Sequence, residues 1–509
     1  MMKLALLLSL AVSSSAFLLS PSPALYGSRT VAPAAHRLSA PCRIRPALRS
    51  GRGAVRAQGA ATEGAATEEG TVGISGVIDV AIIGGGPCGL AVALALRKAS
   101  PAATIAVFER DAHLKPVGSS VVISSSGWAA LKCIDPDVCK RLKAQSAPIE
   151  FLRVVPLDDD TGKAAAPGLA RGALRLFGAV NTALKFLRLP SLAFVRSNLW
   201  HEVRGTLAQR VAEVCGAGTL RTNHALEALA EAPDLRGGFY LSFAHPASAN
   251  GTASTHVRAT VVLACDGARS ASRELAPREP GAAAVLWDEG KSVWRGLAPS
   301  VDLAGQGTIL QDTAATDGGR SAVTFPAGGG GGASWTVIAP SVAGRAGNAD
   351  DARRRLTLAL PPRGDGSYGP LEDLWRCVDA APTVLEHRLQ VRVFGGPNAG
   401  GPSFCSNTNG LAFAGDAAHP VRPTGEGLAL AFEDAWQLGA IVAASPEQAV
   451  TADALRCYEA ARLPQVREVS EKVRALAESY YTDGAAAEAP AVKQAAKAKK
   501  NPRLRPTPL

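Results

Sequence analysis

The chain has 509 residues, 47% of them hydrophobic and 19% charged, enough for two domains or one large two-lobed unit with a substantial core. Its net charge of +10 sits at the ends: residues 1–62 hold eight basic residues and no acid, and Lys493 to Arg505 hold six more. That leaves 40 basic against 44 acidic residues between 63 and 492, so charge does not make the body a binder of nucleic acid or another polyanion.

The first 70 residues read as an address and not as structure. Lys3 precedes the short apolar run LALLLSLAV (4–12), which is too short to span a bilayer and fits a signal h-region. SSSAF (13–17) offers small residues for cleavage after Ala16. Residues 18–62 are rich in Ser, Ala, Pro and Arg, the composition of a transit peptide. With Phe17 at the junction, this order resembles the bipartite plastid presequence of algae with complex plastids. It implies a plastid location, with simple secretion as the alternative. No later segment has 18 uninterrupted apolar residues, so no transmembrane helix is expected.

The next stretch, VIDVAIIGGGPCGLAVALALRK (77–98), begins with the run Val77–Ile83, suited to a buried parallel strand. Gly84, Gly85, Gly86 and Gly89 follow at once. In a dinucleotide turn Gly84 permits the sharp bend, Gly86 lets backbone approach a pyrophosphate, and Gly89 lets helix and strand pack closely. The helix that follows aims its N-terminal N–H groups at the phosphates. A second strand, TIAVFE (104–109), ends in Glu109, placed to accept hydrogen bonds from a ribose hydroxyl. Glu109 argues against a 2′-phosphate here, although the neighbouring Arg110 is a residue that could accommodate one.

Residues 163–190 carry Leu176, Phe177, Val180, Leu184 and Leu187 at helical spacing, among Arg171, Arg175, Lys185 and Arg188. This is a surface helix packed on the body, or a basic amphipathic helix making peripheral membrane contact through 169–189. Gly172 and Gly178 weaken the helix.

Two later motifs separate FAD from NAD. VVLACDGARSASR (261–273) is a buried strand ending at Asp266-Gly267, with Ser270 and Arg273 beyond. GLAFAGDAAHPVRPTGEGLALAFEDAWQLG (410–439) is another, ending at Gly415-Asp416 and followed by a Pro/Gly loop and a helix. Asp416 is placed to hold a polyol chain. The helix N-terminus after Gly427 can aim N–H groups at the negative charge of a reduced flavin. Between these motifs, residues 276–400 show short strand-like runs such as SAVTF (321–325) and SWTVIAP (334–340), with GGGGG (328–332) between them as a flexible hairpin connection. The expected fold is therefore α/β: a discontinuous Rossmann-like FAD-binding domain (72–275 and 401–482) with an inserted β-sheet-rich substrate domain (276–400). A basic tail, expected to be disordered, follows from 483. The nine cysteines form no C-x-x-C and no metal grouping with the eight histidines, so reduced thiols and no metal site are expected.

The chain resembles the single-component FAD-dependent monooxygenases of the aromatic hydroxylase type, the superfamily of zeaxanthin epoxidase and kynurenine 3-monooxygenase. The resemblance is carried by Gly84-x-Gly86-x-x-Gly89 with Glu109-Arg110, Arg196-Ser-Asn-Leu199, Asp266-Gly267 with Ser270 and Arg273, and Gly415-Asp416-Ala-Ala-His419-Pro420. Gly425-x-Gly427, Glu433-Asp434-Ala435 and Tyr458-Glu459-x-x-Arg462 continue it. Within 276–400 it rests on little beyond Trp294-Arg295-Gly296 and Phe325-Pro326. The resemblance implies that the glycine turn and Glu109 hold the ADP half of FAD, and that Arg196 lies near the flavin and its phosphates. Asp266 and Gly267 would serve FAD and a transient NAD(P)H, and Asp416 the ribityl chain. Pro423, Gly425, Gly427, Leu428 and Ala429 would line the isoalloxazine. It also implies the family chemistry: NAD(P)H reduces the flavin, O2 adds at C4a, and the hydroperoxide hydroxylates or epoxidises a small, apolar organic substrate.

The family loop commonly reads G-Q-G-x-N, where this chain has Gly425-Glu426-Gly427-Leu428-Ala429. Glu426 is expected to face solvent or a basic partner such as Arg422. Gly-Glu-Gly also occurs in geranylgeranyl reductases, so reduction of isoprenoid double bonds is the alternative activity, and a non-catalytic flavin-binding protein the alternative class. A halogenase is disfavoured because no W-x-W-x-I-P segment is present. His419, just after a buried strand, is read as a structural hydrogen-bonding residue, and Asp266 and Asp416 have turn-capping as their other reading.

Overall fold

The computed structural model describes residues 71–116, 118–157, 195–232, 238–247, 253–276, 286–312, 319–342, 349–362, 366–392, 404–405 and 410–481. The expected presequence, the 163–190 stretch and the basic tail lie outside these residues.

The chain begins with β1 (Thr71–Ile83), α1 (Pro87–Ala99), β2 (Ile105–Phe108), β3 (Ser120–Ile123), α2 (Ser125–Ile134), α3 (Pro136–Gln145), β4 (Ala147–Ile149) and β5 (Phe151–Pro156). It continues through β6 (Val195–Leu199), α4 (Trp200–Cys215), β7 (Leu220–Arg221), β8 (Ala225–Ala232), β9 (Gly238–Ala244), β10 (Ser254–Ala264) and α5 (Ala271–Leu275). Then come β11 (Leu286–Ala298), β12 (Gln306–Gln311), β13 (Ser321–Pro326), β14 (Ala333–Pro340), α6 (Ala349–Ala359), α7 (Glu372–Asp379) and β15 (Val384–Arg392). The last elements are β16 (Leu411–Phe413), α8 (Gly427–Ala444) and α9 (Ala452–Tyr481).

The first sheet runs β7-β2-β1-β10-β9-β8, and β16 joins it by pairing with the end of β10. Strands β7, β2, β1, β10 and β16 are parallel, while β8 and β9 extend the sheet antiparallel. Parallel strands are covered on both faces and therefore need apolar side chains in both directions. Val80, Ala81, Ile82 and Ile83 meet that need and are buried. The continuous apolar surface of α1 packs against this sheet and against α8, which arrives from the far end of the sequence. The dinucleotide half is thus discontinuous: β16 and α8 complete a sheet and core begun by β1 and α1.

The second sheet runs β15-β11-β14-β13-β12-β5. Its first-arriving strand, β5, comes from within 72–275 and pairs parallel with β12. One face buries Trp294, Trp335 and Val337 against Leu356, Leu374 and Trp375 of α6 and α7, forming a second core. The opposite face carries Ser334, whose Oγ accepts from Ser120 N at 3.0 Å, and so looks toward the dinucleotide half. A small third sheet, β3-β6-β4, lies at this junction.

The five glycines at 328–332 make the expected hairpin connection between β13 and β14, but the run is docked at its start and open only around Gly330 and Gly331. Gly329 N donates to Gln145 O at 2.9 Å. A Cβ on Gly328 would stand 3.0 Å from Asn198 Cα, Gln145 O and Ser197 O. Ser197 Oγ donates to Pro326 O at 2.5 Å beside it. The missing side chain of Gly328 and the Gly329 N–H let the hairpin dock against α3 and β6, so these two glycines provide proximity between the two halves.

Candidate functional site

Four parallel strands end level with one another. In the sheet register Ile83 pairs with Phe108 and Ala264, and Ala264 pairs with Phe413. Backbone bonds continue the ladder one residue further: Gly84 N to Phe108 O at 2.8 Å, Cys265 N to Ile83 O at 2.8 Å, and Ala414 N to Ala264 O at 2.9 Å. The residues that follow are Gly84–Gly89, Glu109, Asp266-Gly267 and Gly415-Asp416. The four separate sequence motifs therefore meet at the carboxyl ends of one parallel sheet, where α/β folds bind ligands.

Each glycine of the first turn has a distinct constraint. Gly84 has φ +104°, and a Cβ there would lie 2.5 Å from Cys265 O. A Cβ on Gly89 would lie 2.1 Å from Gly84 O, so helix α1 could not sit on the turn. Gly86 has nothing within 4 Å of its Cβ position. It is also the N-cap of α1, with no side-chain cap bond. An uncapped helix start beside open space leaves N–H donors for a phosphate.

Glu109 is buried and braces the turn. Its Oε2 accepts from Gly85 N at 2.9 Å and pairs with Arg204 Nη2 at 2.8 Å; Oε1 accepts from Asp111 N at 3.0 Å. Arg204 Nε donates to Gly85 O at 2.8 Å. Arg204 was not singled out from the sequence. The available signal was a charge on the face of α4 that buries Val203, Leu207 and Val211. Arg110 is exposed just beyond β2.

Asp266 Oδ2 accepts from Ser272 N at 2.9 Å and so helps cap the start of α5, while its buried Oδ1 has no partner among the described residues. Gly267 follows with space around its Cβ position. Arg196 sits on β6 beside Ile123 of β3, and its guanidinium donates to Ser146 Oγ at 2.5 Å and Ser146 O at 3.2 Å.

Asp416 is exposed to solvent. Desolvation by the surrounding protein nonetheless raises its pKa, against the pull of His419 and Arg295. Exposure and desolvation together mark a carboxylate on a cleft wall. A Cβ on Gly427 would lie 3.6 Å from Asp416 Oδ1, so the start of α8 opens onto the same cleft. The N-cap of α8 is Glu426, again with no side-chain cap bond. The loop leading there has Pro423 exposed, Gly425, Gly427 and Leu428 partly buried, and Ala429 fully buried against Gly127 of α2. Arg422, considered as a partner for Glu426, donates through Nε to Glu289 Oε1 of β11 at 2.7 Å.

Behind Asp416 lies a buried charge network. His419 is fully buried, and its Nε2 lies 2.6 Å from Asp434 Oδ2, in agreement with a structural role. Asp434 also accepts from Gly415 N at 2.8 Å and Arg462 Nε at 2.8 Å. Burial alone would raise the Asp434 pKa; His419 and Arg462 overcome it and hold the carboxyl at about 2. The network fixes Gly415, and with it the backbone that presents Asp416.

The second sheet supplies the opposite wall. Arg295 on β11 interacts electrostatically with Asp416 and donates through Nη2 to His387 Nε2 on β15 at 3.0 Å. Burial, with Arg295 and Arg269 nearby, lowers the His387 pKa to about 4. Among the described residues no group of His, Cys, Asp and Glu could hold a metal ion, and no helix is long and apolar enough to cross a membrane. None of the eight described cysteines is joined in a disulfide.

No family model matches the chain. Over 69 residues the chain is 44% identical to 3-amino-4-hydroxybenzoate 2-monooxygenase PtnB3 of Streptomyces platensis, a match covering 13% of this chain and 17% of that protein. PtmB3, of the same name and organism, matches to the same extent. The chain thus spans about a sixth of the length of the curated relatives it matches. Solved structures match over much more. Klebsiella pneumoniae HpxO complexed with FAD and uric acid superposes with a TM-score of 0.56 at 20% identity, covering 83% of this chain and 92% of that one. For 2,6-dihydroxypyridine-3-hydroxylase from Arthrobacter nicotinovorans the TM-score is 0.56 at 16% identity, covering 82% and 95%. For tetracycline destructase Tet(51) it is 0.55 at 15% identity, covering 83% and 95%. The chain has the α/β fold of these proteins, with its four strand-end motifs at the carboxyl edge of the first sheet.

Proposed function

We propose that the protein is an FAD-dependent monooxygenase that uses NAD(P)H and O2 to oxygenate a small, mainly apolar organic molecule. The observation that carries this reading is the convergence at one cleft of two uncapped helix starts, those of α1 and α8, with Asp416 between them. The pairing of these groups suits a two-ended cofactor. The α1 start beside Gly86 fits a pyrophosphate, Asp416 fits the hydroxyls of a polyol chain, and the α8 start fits a ring edge that gains negative charge. A site for NAD alone would leave the second helix start and Asp416 without a task.

Bound FAD would supply reduction by NAD(P)H and activation of O2, with one oxygen atom passing to substrate and the other leaving as water. The chain's own residues bind, orient and enclose. Glu109 and Arg204 hold the turn at the adenosine end. The Asp434 network keeps Asp416 in place. The N–H groups of Gly427 to Ala429 stabilise negative charge at the α8 start. The half-buried side chains of the second sheet that face the cleft exclude water and set the substrate's fit.

The test is an oxygen electrode with full-length, FAD-loaded protein and a panel of apolar and phenolic small molecules. A substrate should raise NAD(P)H oxidation with matching oxygen uptake and form an oxygenated product. Reduction of a substrate without oxygen uptake would replace this reading with the reductase.

A further inference from the structure

The loop from Pro420 to Glu426 joins the buried His419 to the start of α8, and it has few groups with which to hold itself. Pro420 and Pro423 have no N–H to donate, and Gly425 has no side chain to anchor. Two bonds from the second sheet reach the loop. Arg392 N, at the end of β15, donates to Pro420 O at 3.2 Å. Arg422 Nε donates to Glu289 Oε1 of β11 at 2.7 Å.

Glu289 reaches the loop because β11 is irregular there. Asp288 pairs with Gln390 of β15 and the next pair is Ser292 with Arg388, so Glu289, Gly290 and Lys291 stand opposite Leu389 alone. Gly290 turns this bulge with φ +71°, and its N–H donates to Asp288 Oδ1 at 2.9 Å. A bulge re-aims the side chains it carries. The Glu289 side chain ends 10% exposed and that of Arg422 22%, so water and salt screen the pair less than a surface one. Glu289 Oε2 takes no hydrogen bond among the described residues, so the tie to the loop runs through Oε1.

The chain carries this contact onward. Val421 precedes Arg422, and a Cβ on Gly427, the first residue of α8, would lie 3.9 Å from Val421 Cγ2. Thr424 N donates to Arg422 O at 2.7 Å and tightens the turn between them. The Arg422 guanidinium therefore fixes the segment against which the α8 start rests.

Resting on the reading of the α8 start as the ring end of an FAD site, we propose that Glu289 is a positioning residue: acting through Arg422, it holds this loop so that the N–H groups at the α8 start meet the flavin ring. The second sheet thereby completes the ring end of the cofactor site, whereas Glu109, Arg204 and the glycine turn build the adenosine end within the first half alone.

FAD and ADP share the adenosine end and differ at the ring end, so their affinities for full-length, flavin-free protein separate the two. Both are measured by calorimetric titration. The wild type should bind FAD more tightly than ADP. Glu289→Leu should weaken FAD by at least about tenfold and ADP by no more than about twofold. Glu289→Gln, which keeps an acceptor at Oε1, should stay within about threefold of the wild type for FAD. Arg422→Leu should reproduce the FAD loss of Glu289→Leu, and the double variant should lose no more than either, because the two side chains act as one unit. Lys291 also interacts electrostatically with Glu289 and keeps that carboxylate from standing alone in Arg422→Leu, which carries the test if Glu289→Leu does not fold. Equal losses for FAD and ADP, unchanged FAD affinity, or losses that add in the double variant would overturn the proposal. A wild type that binds FAD no more tightly than ADP would contradict the flavin reading itself, and this inference with it. A wild type that prefers FAD, with variants that keep the preference, would contradict this inference alone.

Discussion

Arg204 Nη2 lies 2.8 Å from Glu109 Oε2, and both side chains are buried beneath the first glycine turn. The pair ties α4 to the end of β2 and, through Gly85, to the turn itself. Removing one partner leaves a buried charge uncompensated. Arg204→Met is therefore expected to destabilise the protein by about 3–5 kcal/mol, measured by urea unfolding. The double variant Arg204→Met, Glu109→Leu should recover most of that loss, because a buried ion pair replaced by apolar groups is often close to neutral. FAD affinity should stay low in the double variant, since there the adenosine end loses its acceptor, Glu109. Recovered affinity in the double variant would remove Glu109 from the cofactor site.

Gly86 and Gly89 separate binding from folding. Gly86 has φ −78° and ψ 175°, which alanine adopts freely, and open space where a Cβ would go. Gly86→Ala should leave stability unchanged or raise it by up to about 1 kcal/mol, while the methyl group intrudes where a pyrophosphate must approach. Its FAD affinity is expected to fall by at least about tenfold in a fluorescence titration, a change of about 1.4 kcal/mol. Gly89→Ala would place a Cβ 2.1 Å from Gly84 O and should fail in thermal unfolding itself.

Asp434 sets an acid limit on stability. Its pKa is held at about 2 against an ordinary 3.8. A carboxylate depressed on folding contributes stability above its unfolded pKa and loses it as pH falls through the folded value. The contribution, on the order of 2 kcal/mol, should be complete above pH 4 and fade between about 4 and 2. Asp434→Asn should be less stable at neutral pH and show a flatter acid limb in urea unfolding measured across that range. An unchanged limb would place the acid sensitivity elsewhere.

The docked hairpin gives a packing test. A Cβ on Gly328 would meet backbone atoms at 3.0 Å on α3 and β6, which cannot rotate away. Gly328→Ala should cost about 1–3 kcal/mol by forcing the halves apart. Gly330 has open space around its Cβ position but φ +102°, so Gly330→Ala should show conformational strain without that clash. Limited proteolysis that cuts between the halves faster in Gly328→Ala than in Gly330→Ala would confirm that the first acts at the junction.

Local signals made the dinucleotide turn readable. Strand, glycines and helix follow within 29 residues, Thr71–Ile83 being β1 and Pro87–Ala99 α1, and the physical roles of the glycines are set by immediate neighbours. Strand-end acids such as Glu109 and Asp416 were readable for the same reason. Arg204 was not, because its partner Gly85 is 119 residues away in the chain. The Arg295–His387 pair was hidden similarly, by a separation of 92 residues and by a register that no local pattern reveals. The glycine run at 328–332 was readable as a hairpin connection, but the docking of Gly328 was not. Composition suggests freedom there, whereas the tertiary structure uses the absence of side chains for close approach.

The central claim is tested most directly by the visible absorption spectrum of the full-length protein after incubation with FAD and removal of the excess. The wild type should retain a flavin spectrum. Asp416→Ala, which removes an exposed carboxylate outside the buried network, should retain much less while unfolding at the same urea concentration. A wild-type protein that emerges folded and colourless would contradict the account.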